Sequence, residues 1–430
     1  MIVCLLYVIG IILAWPMQLI FFKRKTYYVN KKVQSRRIKG GAILLSNHKS
    51  FKDFMVYIFA FPFRKVYCLM SEKVFGINKI VSFLSMVMGG ILVDRRNYNF
   101  AFIEKSVEFL NKNKLLMVFP EGKLPTSSQM GSFYPSYIMI ALKSGKPIIP
   151  LYTPGRYGMF KRARMVVGEP IYIRDYIKND NPTKSEINDA NIKIRKKMLE
   201  LEVFCKKKML EEKYHKLFSF RHILQDLGRL HVFFIDLIVL RFKRTNLGEN
   251  KYKQKIKDNL IIVSNHISFS DPLIVMGTYL HRRQHMLVSE VVYDGHKFRS
   301  RALNDLGCIR IDRYNFDVEA MEKCEDILIG KGVVSLFPEG HISREGLSEF
   351  KMGAAYLSLK TNTKILPLYI EYKNRGFYRF IVHYGEIIDP NIVDSNLNKN
   401  QRIKALNDII YNNVKEMEAE FGGKMEPKNA

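Results

Sequence analysis

Gly41-Ala42-Ile43-Leu44-Leu45-Ser46-Asn47-His48-Lys49-Ser50-Phe51-Lys52-Asp53 is an apolar run that stops on Asn-His, with an aspartate five residues after the histidine. It returns as Asn259-Leu260-Ile261-Ile262-Val263-Ser264-Asn265-His266-Ile267-Ser268-Phe269-Ser270-Asp271, at an offset of 218 residues. Two further blocks repeat at the same offset. Ile91-Leu92-Val93-Asp94-Arg95 becomes Ile309-Arg310-Ile311-Asp312-Arg313, and Phe119-Pro120-Glu121-Gly122 becomes Phe337-Pro338-Glu339-Gly340. Ile149-Pro150-Leu151-Tyr152 then matches Leu366-Pro367-Leu368-Tyr369 at an offset of 217. Four blocks in one order at nearly one offset mark a tandem duplication. The unit, roughly 200 residues, is too long for a solenoid repeat and has the size of a domain.

Within each unit, short apolar runs alternate with helical patterns. Residues 41–46 and 259–264 end just before Asn-His, residues 115–119 and 333–337 just before Pro-Glu-Gly, and residues 146–152 and 364–370 add one more run each. Helical periodicity lies between them, as at 99–111 and 318–329. Strands alternating with helices predict an α/β fold: two tandem domains, each a mostly parallel twisted sheet flanked by helices. Functional residues in such sheets gather at the carboxyl ends of strands, where Asn-His and Pro-Glu-Gly both fall.

The chain has 430 residues, 47% of them apolar and 12% aromatic, which excludes wholesale disorder. Its 69 Lys and Arg outnumber 41 Asp and Glu, a formal net charge of +28, so a polyanionic partner is expected, either nucleic acid or an anionic membrane surface. Five scattered cysteines with no CxxC spacing argue against a disulfide framework or a structural zinc site, and for a reducing compartment.

Residues 1–22 are apolar apart from Gly10, Pro16 and Gln18, which is long enough to cross a bilayer. Residues 23–39 then carry eight basic side chains and no acid, which places the chain beyond residue 22 on the cytoplasmic side of the membrane. Pro16 leaves a kinked or re-entrant helix open beside a spanning one, and the bland alternative is a buried helix followed by a basic loop. The corresponding stretch of the second copy, 217–240, carries Arg221, Asp226, Arg229 and Asp236 and reads as an interfacial amphipathic helix. The resulting map is a membrane-anchoring apolar helix (1–22), a first domain (23–183) and a charged helical connector (184–216). An interfacial helix with a basic stretch (217–257), a second domain (258–395) and a C-terminal helix and tail (396–430) complete it.

An imidazole beside a carboxylate makes a general base: the Asp fixes the tautomer and stabilises the imidazolium as the proton arrives. From His to the Arg of the Asp-Arg pair is 47 residues in both copies, and from His to Glu is 73 in both. His231 and Asp236 share the His-to-Asp spacing, but no Asn precedes them and no Pro-Glu-Gly comes at the matching distance, so that pair reads as structural. His48 with Asp53 and His266 with Asp271 are the candidate catalytic pairs. No nucleophile motif accompanies them, so each base should activate a substrate hydroxyl or water directly. Arg95 and Arg313 suit an anionic group, because guanidinium grips phosphate bidentately; for either one alone, an ion pair is the simpler reading. Glycine after Glu121 and Glu339 permits close backbone approach to a ligand. A metal at the His-Asp pair would lack a third ligand nearby, so none is expected.

Together these blocks resemble the glycerolipid acyltransferases of the PlsC type, the lysophosphatidic acid acyltransferase family. The matching pieces are NHKSFKD and NHISFSD, ILVDRR and CIRIDR, FPEG twice, the Pro-Leu-Tyr segments, and Phe350-Lys351-Met352-Gly353-Ala354. The resemblance covers about residues 40–175 and 258–390 and implies that His48 and His266 deprotonate a glycerol hydroxyl that attacks an acyl thioester. It implies that Arg95, Glu121, Gly122, Arg313, Glu339 and Gly340 position a phosphate-bearing acceptor, lysophosphatidic acid or glycerol 3-phosphate. The donor would be acyl-CoA or acyl-carrier protein, with no metal or bound organic cofactor. Where the family usually has Thr-Arg after FPEG, this chain has Lys123-Leu124 and His341-Ile342-Ser343-Arg344, so Lys123, Arg344 and Lys351 join the candidate acceptor-binding set. The expected activity is acylation of 1-acyl-sn-glycerol 3-phosphate at an anionic membrane, on its cytoplasmic face. The alternatives are acylation of glycerol 3-phosphate or another lysolipid or amino-lipid, or a non-catalytic basic protein binding membrane or nucleic acid. No nucleic-acid partner is expected, because the basic runs adjoin apolar segments rather than a nucleic-acid-binding motif.

Overall fold

The apolar runs are the buried centres of two sheets. In the computed structural model, the described residues are 2–21, 23–34, 37–50, 52–61, 64–93, 101–124, 129–159, 161–215, 223–246, 256–312, 314–315, 317–373 and 379–422. They form two compact units that divide between Lys208 and Met209. The first runs α1 (Ile2–Phe21), β1 (Arg24–Tyr28), β2 (Ala42–Ser46), α2 (Asp53–Ala60), β3 (Val66–Ser71), α3 (Glu72–Phe75), α4 (Lys79–Val87), β4 (Gly90–Val93), α5 (Ala101–Asn111), β5 (Leu115–Val118), α6 (Ser136–Ser144), β6 (Ile148–Tyr152), β7 (Ala163–Val167) and α7 (Lys184–Tyr214). The second repeats that order as α8 (Ile223–Ile235), β8 (Phe242–Asn246), β9 (Leu260–Ser264), α9 (Asp271–Thr278), β10 (Gln284–Ser289), α10 (Glu290–Tyr293), α11 (Lys297–Asp305), β11 (Ile309–Ile311), α12 (Val318–Ile329), β12 (Val333–Leu336), α13 (Gly353–Thr361), β13 (Lys364–Tyr372), β14 (Phe380–Tyr384) and α14 (Lys399–Phe421).

The strand orders are β1-β7-β6-β2-β5-β3-β4 and, element for element, β8-β14-β13-β9-β12-β10-β11. Every neighbouring pair is parallel except β6–β7 and β13–β14. Strands buried on both faces need side chains that are apolar without alternation, which is why they read as continuous runs. In β9, Ile261 and Val263 point to one face, where Cys324, Leu328, Ala355 and Ile410 of α12, α13 and α14 cover them. Leu260 and Ile262 point to the other, against Ile274 and Val275 of α9.

The Pro-Leu-Tyr blocks mark the place where β6 and β13 change partners. A proline cannot donate to a ladder, and its ring needs room. Opposite Pro150 stands Gly168, and opposite Pro367 stands Gly385; a Cβ on either glycine would come within 2.8 or 2.9 Å of the proline ring. The carbonyls of Pro150 and Pro367 accept from the N–H of those same glycines at 2.9 and 3.0 Å.

Three features differ from the sequence map. The helix read as a connector, α7, is an integral part of the first unit as far as Lys208, burying Ile194, Met198 and Cys205. Its Asn191 donates to the Phe133 carbonyl, as Asn407 of α14 does to that of Phe350. The two basic stretches, to which the sequence map gives no strand, contain the edge strands β1 and β8. The N-terminal helix is 20 residues long, with side chains described at 6–16 and 18–20; among the described residues no helix is long and apolar enough to cross a membrane. Tyr7 and Gln18 of α1 face the domain, while Val8, Ile12, Leu13 and Leu19 are exposed. α8 is built the same way. Its Asp226 is gripped by Arg283 through Nε at 2.8 Å and an Nη at 2.7 Å, and Leu224, Leu227, Leu230 and Phe234 face outward.

Candidate active site

Both His-Asp pairs form at the carboxyl end of a central strand, β2 in one unit and β9 in the other. Strand geometry is extended past its last residue by the asparagine. Asn47 donates to the Thr153 carbonyl at 2.8 Å and accepts from the Thr153 N–H at 2.9 Å; Asn265 does the same with Ile370 at 3.0 and 2.7 Å. A carboxamide supplies one donor and one acceptor in the spacing of a peptide group, so it closes the ladder and fixes where the next residue, the histidine, leaves the sheet.

The aspartate opens the next helix, where its charge sits against the positive helix end. Asp53 Oδ2 accepts from His48 Nδ1 at 3.0 Å and from the backbone N–H of Lys49 and Ser50 at 2.7 and 2.8 Å. Asp271 Oδ2 accepts from His266 Nδ1 at 2.9 Å and from Ile267 and Ser268 at 2.6 and 2.7 Å. Both aspartates have 0% exposure and their histidines 18% and 17%, so the imidazoles are partly open while the carboxylates are sealed. Nδ1 is thereby held as the donor, and Nε2 is the basic nitrogen.

The Phe-Pro-Glu-Gly turn supports each histidine twice. The phenylalanine ring stacks on the imidazole, Phe119 on His48 at 4.3 Å and Phe337 on His266 at 4.2 Å between centroids. The glutamate, buried in both units, takes the backbone N–H of the histidine at 2.9 Å on Oε1. Its second oxygen takes the Gly131 N–H in one unit, and the N–H and hydroxyl of Ser348 in the other. Sequence reading assigned Glu121 and Glu339 to acceptor binding. In the structure both oxygens of each are engaged by the protein, and they hold the loop that carries the histidine. Gly122 and Gly340 take φ of +68° and +75°, left-handed values that favour glycine.

In the second unit His266 lines a mostly apolar cavity of about 790 Å³, bounded by Met286, Val288, Met321, Leu336, Leu357 and Ile403. That volume is in the range of small-molecule sites. Gly340, His341 and Lys351 lie on its wall beside the histidine. Lys123 and Arg344 are exposed, and Arg344 does not line the cavity. Arg95 and Arg313 lie outside the described residues. The third His-to-Asp spacing is a different object. His231 is on α8, and Asp236 begins a π-helical turn after it, buried with neither carboxylate oxygen hydrogen-bonded among the described residues. Burial pushes that carboxyl up to about 7, against the downward pull of Arg244. Among the described residues no cluster of three or more His, Cys, Asp or Glu has a metal-binding arrangement.

The sequence model of the Acyltransferase family matches this chain in two segments, 13–153 and 244–371, each containing one His-Asp pair and one Phe-Pro-Glu-Gly turn. The chain belongs to the acyltransferase family. A 1-acyl-sn-glycerol-3-phosphate acyltransferase of Borreliella burgdorferi is 31% identical over 135 residues, 29% of this chain and 51% of that protein. The match therefore spans about half that relative's length. The crystal structure of the 1-acyl-sn-glycerophosphate (LPA) acyltransferase, PlsC, from Thermotoga maritima is 17% identical with a TM-score of 0.35, over 47% of this chain and 84% of that one. Within this tandem acyltransferase, sequence reading found the His-Asp pairs and missed the supporting parts. Asn47, Asn265, Phe119 and Phe337 stood inside the repeated blocks, and repetition was the signal that could have found them. His341, on the cavity wall, stands out in the sequence only as a departure from the family's Thr-Arg.

Proposed function

We propose that this chain is a membrane-associated O-acyltransferase that moves a fatty acyl group from a thioester to the free hydroxyl of 1-acyl-sn-glycerol 3-phosphate. The observation that carries the reading is the twofold His-Asp pair, locked by the same Glu, Asn and Phe supports in both units. His48 and His266 act as bases through Nε2. The acceptor oxygen attacks the thioester carbonyl as its proton passes to imidazole; the tetrahedral intermediate collapses, and the departing thiolate takes that proton. The products are an ester and a free thiol, so no metal or redox partner enters the balance. The apolar cavity beside His266 suits the acyl chain, and Lys351 on its wall suits an anionic acceptor group. Arg95 and Arg313 belong to the same phosphate-binding role. Acyl-CoA and acyl-carrier protein both fit as donors.

The exposed apolar faces of α1 and α8, beside the basic stretches, support attachment to an anionic membrane surface on its cytoplasmic side. Because Lys123-Leu124 and His341-Ile342 stand where the family has Thr-Arg, glycerol 3-phosphate or another lysolipid or amino-lipid is the alternative acceptor. Acyl transfer by the purified protein, with lysophosphatidic acid and glycerol 3-phosphate as acceptors and both thioesters as donors, tests the reading. Wild type is compared with His48→Ala, His266→Ala and the double variant. Loss of transfer only in the double variant is expected for two independent sites; no transfer to either acceptor by wild type refutes the substrate assignment.

A further inference from the structure

The two sites are built alike around Oδ2 of the aspartate and differently around Oδ1. In the first unit, the Tyr157 hydroxyl donates to Asp53 Oδ1 and lies 2.9 Å from Thr153 Oγ1. Burial, and then the Asp53 charge beside it, push this phenol far above the ordinary tyrosine range, so it stays protonated and remains a donor. The loop that carries it passes directly over the histidine loop. Gly155, at φ +69°, is so close that a Cβ there would sit 2.3 Å from Lys49 Cβ. A second phenol, Tyr57, is fully buried next to Asp53 and shares a short hydrogen bond with Ser46. In the second unit the equivalent of Tyr57 is Val275, and the sequence has Asn374 in register with Tyr157, outside the described residues. Asp271 Oδ1, sealed from solvent, has no hydrogen-bond partner among the described residues.

A carboxylate that accepts from a strong donor spreads its charge and stabilises a neighbouring imidazolium less; one with a bare second oxygen stabilises it more. We propose that Tyr157 is a positioning residue that orients Asp53 and weakens its hold on the His48 proton, so that the two sites of this chain work over different pH ranges. The inference rests on reading His48 and His266 as bases. Other titratable groups around the first pair are Tyr57, Glu121, Lys49 and Tyr152, and around the second Glu339, His341, Lys351 and Asp312. Tyr157→Phe alters one donor and leaves all of these in place.

The experiment uses the full chain on lysophosphatidic acid vesicles with acyl-CoA, reading one site at a time. His266→Ala isolates the first site and His48→Ala the second. The acid limb of the pH–rate profile is expected at lower pH for the first site. Adding Tyr157→Phe to His266→Ala should raise that limb by about half a pH unit, toward the second site, with kcat down several-fold and KM for acyl-CoA unchanged. Coincident limbs, or a rate that falls without any movement of the limb, would make Tyr157 a packing residue and overturn the inference alone. A silent His266→Ala enzyme would remove the base assignment of His48 and the inference together.

Discussion

At the scale of single residues, the site is a set of backbone clamps around one imidazole. Glu121 shows how they work. Its two oxygens accept from His48 and Gly131 N–H groups, so the carboxylate ties two loops together at the point where the histidine leaves the sheet. Glu121→Gln keeps the shape but turns an acceptor oxygen into a donor facing an N–H. Misplacement of a base by about 1 Å costs roughly a hundredfold in rate. The expected outcome, read at the first site in a His266→Ala background, is a kcat lower by about ten- to a hundredfold with KM nearly unchanged. A selective rise in KM for the acceptor would instead return Glu121 to the substrate-binding role expected from the sequence. Asp236 makes a prediction of opposite sign to most carboxylates. Its folded-state pKa is raised, to about 7, so the folded state holds a proton that the unfolded chain releases near pH 3.8. Stability is therefore lost as pH rises from about 4 through 7. Asp236→Asn should leave melting unchanged below pH 4 and raise it at pH 8, by the equivalent of a few kcal/mol. A pH-independent difference in melting temperature would rule this out.

Single elements carry the membrane reading. α8 turns its ionic residues inward, Asp226 to Arg283 and Arg229, and its leucines outward, the reverse of a helix on the surface of a water-soluble domain. Leu224, Leu227, Leu230 and Phe234 recur at three- to four-residue spacing and form one stripe. Burying one leucine contributes about 1.5–3 kcal/mol, so Leu227→Asp with Leu230→Asp should weaken binding to vesicles by tenfold or more. The melting temperature should hold, because both side chains are exposed in the fold. Vesicle sedimentation of variant and wild type measures this, and equal partitioning would remove α8 from the membrane contact. The two units differ one step further along. α4 exposes Ile80, Phe83 and Leu84, whereas α11 at the same place carries Lys297, Arg299 and Arg301.

Legibility in the sequence tracks burial at this scale. β2, β5, β6, β9, β12 and β13 are covered on both faces, and each stood out as an apolar run. β1 (Arg-Lys-Thr-Tyr-Tyr) and β8 are edge strands paired on one side only, so their composition is free to be basic and hides them. The same logic applies to the site. The His-Asp pairing is a side-chain interaction at short range and was readable. The clamp by Glu121 ends on backbone N–H groups, which leave no trace in residue identity, and Tyr157 reaches Asp53 across 104 positions from an irregular loop.

For the whole molecule, the surplus of 28 positive charges and the outward apolar helices would contribute to the proposed membrane attachment through different physics. Charge attraction to anionic headgroups contributes about 1 kcal/mol for each basic residue near the surface, and it fades within a Debye length, which shrinks from about 10 Å at 0.1 M salt to 3 Å at 1 M. Insertion of α1 and α8 side chains is nearly indifferent to salt. Binding to anionic vesicles should therefore fall steeply with added salt to a plateau, and the plateau should equal the salt-independent binding to neutral vesicles of the same curvature. In Leu227→Asp with Leu230→Asp the plateau should drop while the salt-sensitive part keeps its slope. A titration that falls to zero at high salt would assign the attachment to charge alone and leave the apolar faces of α1 and α8 to another partner.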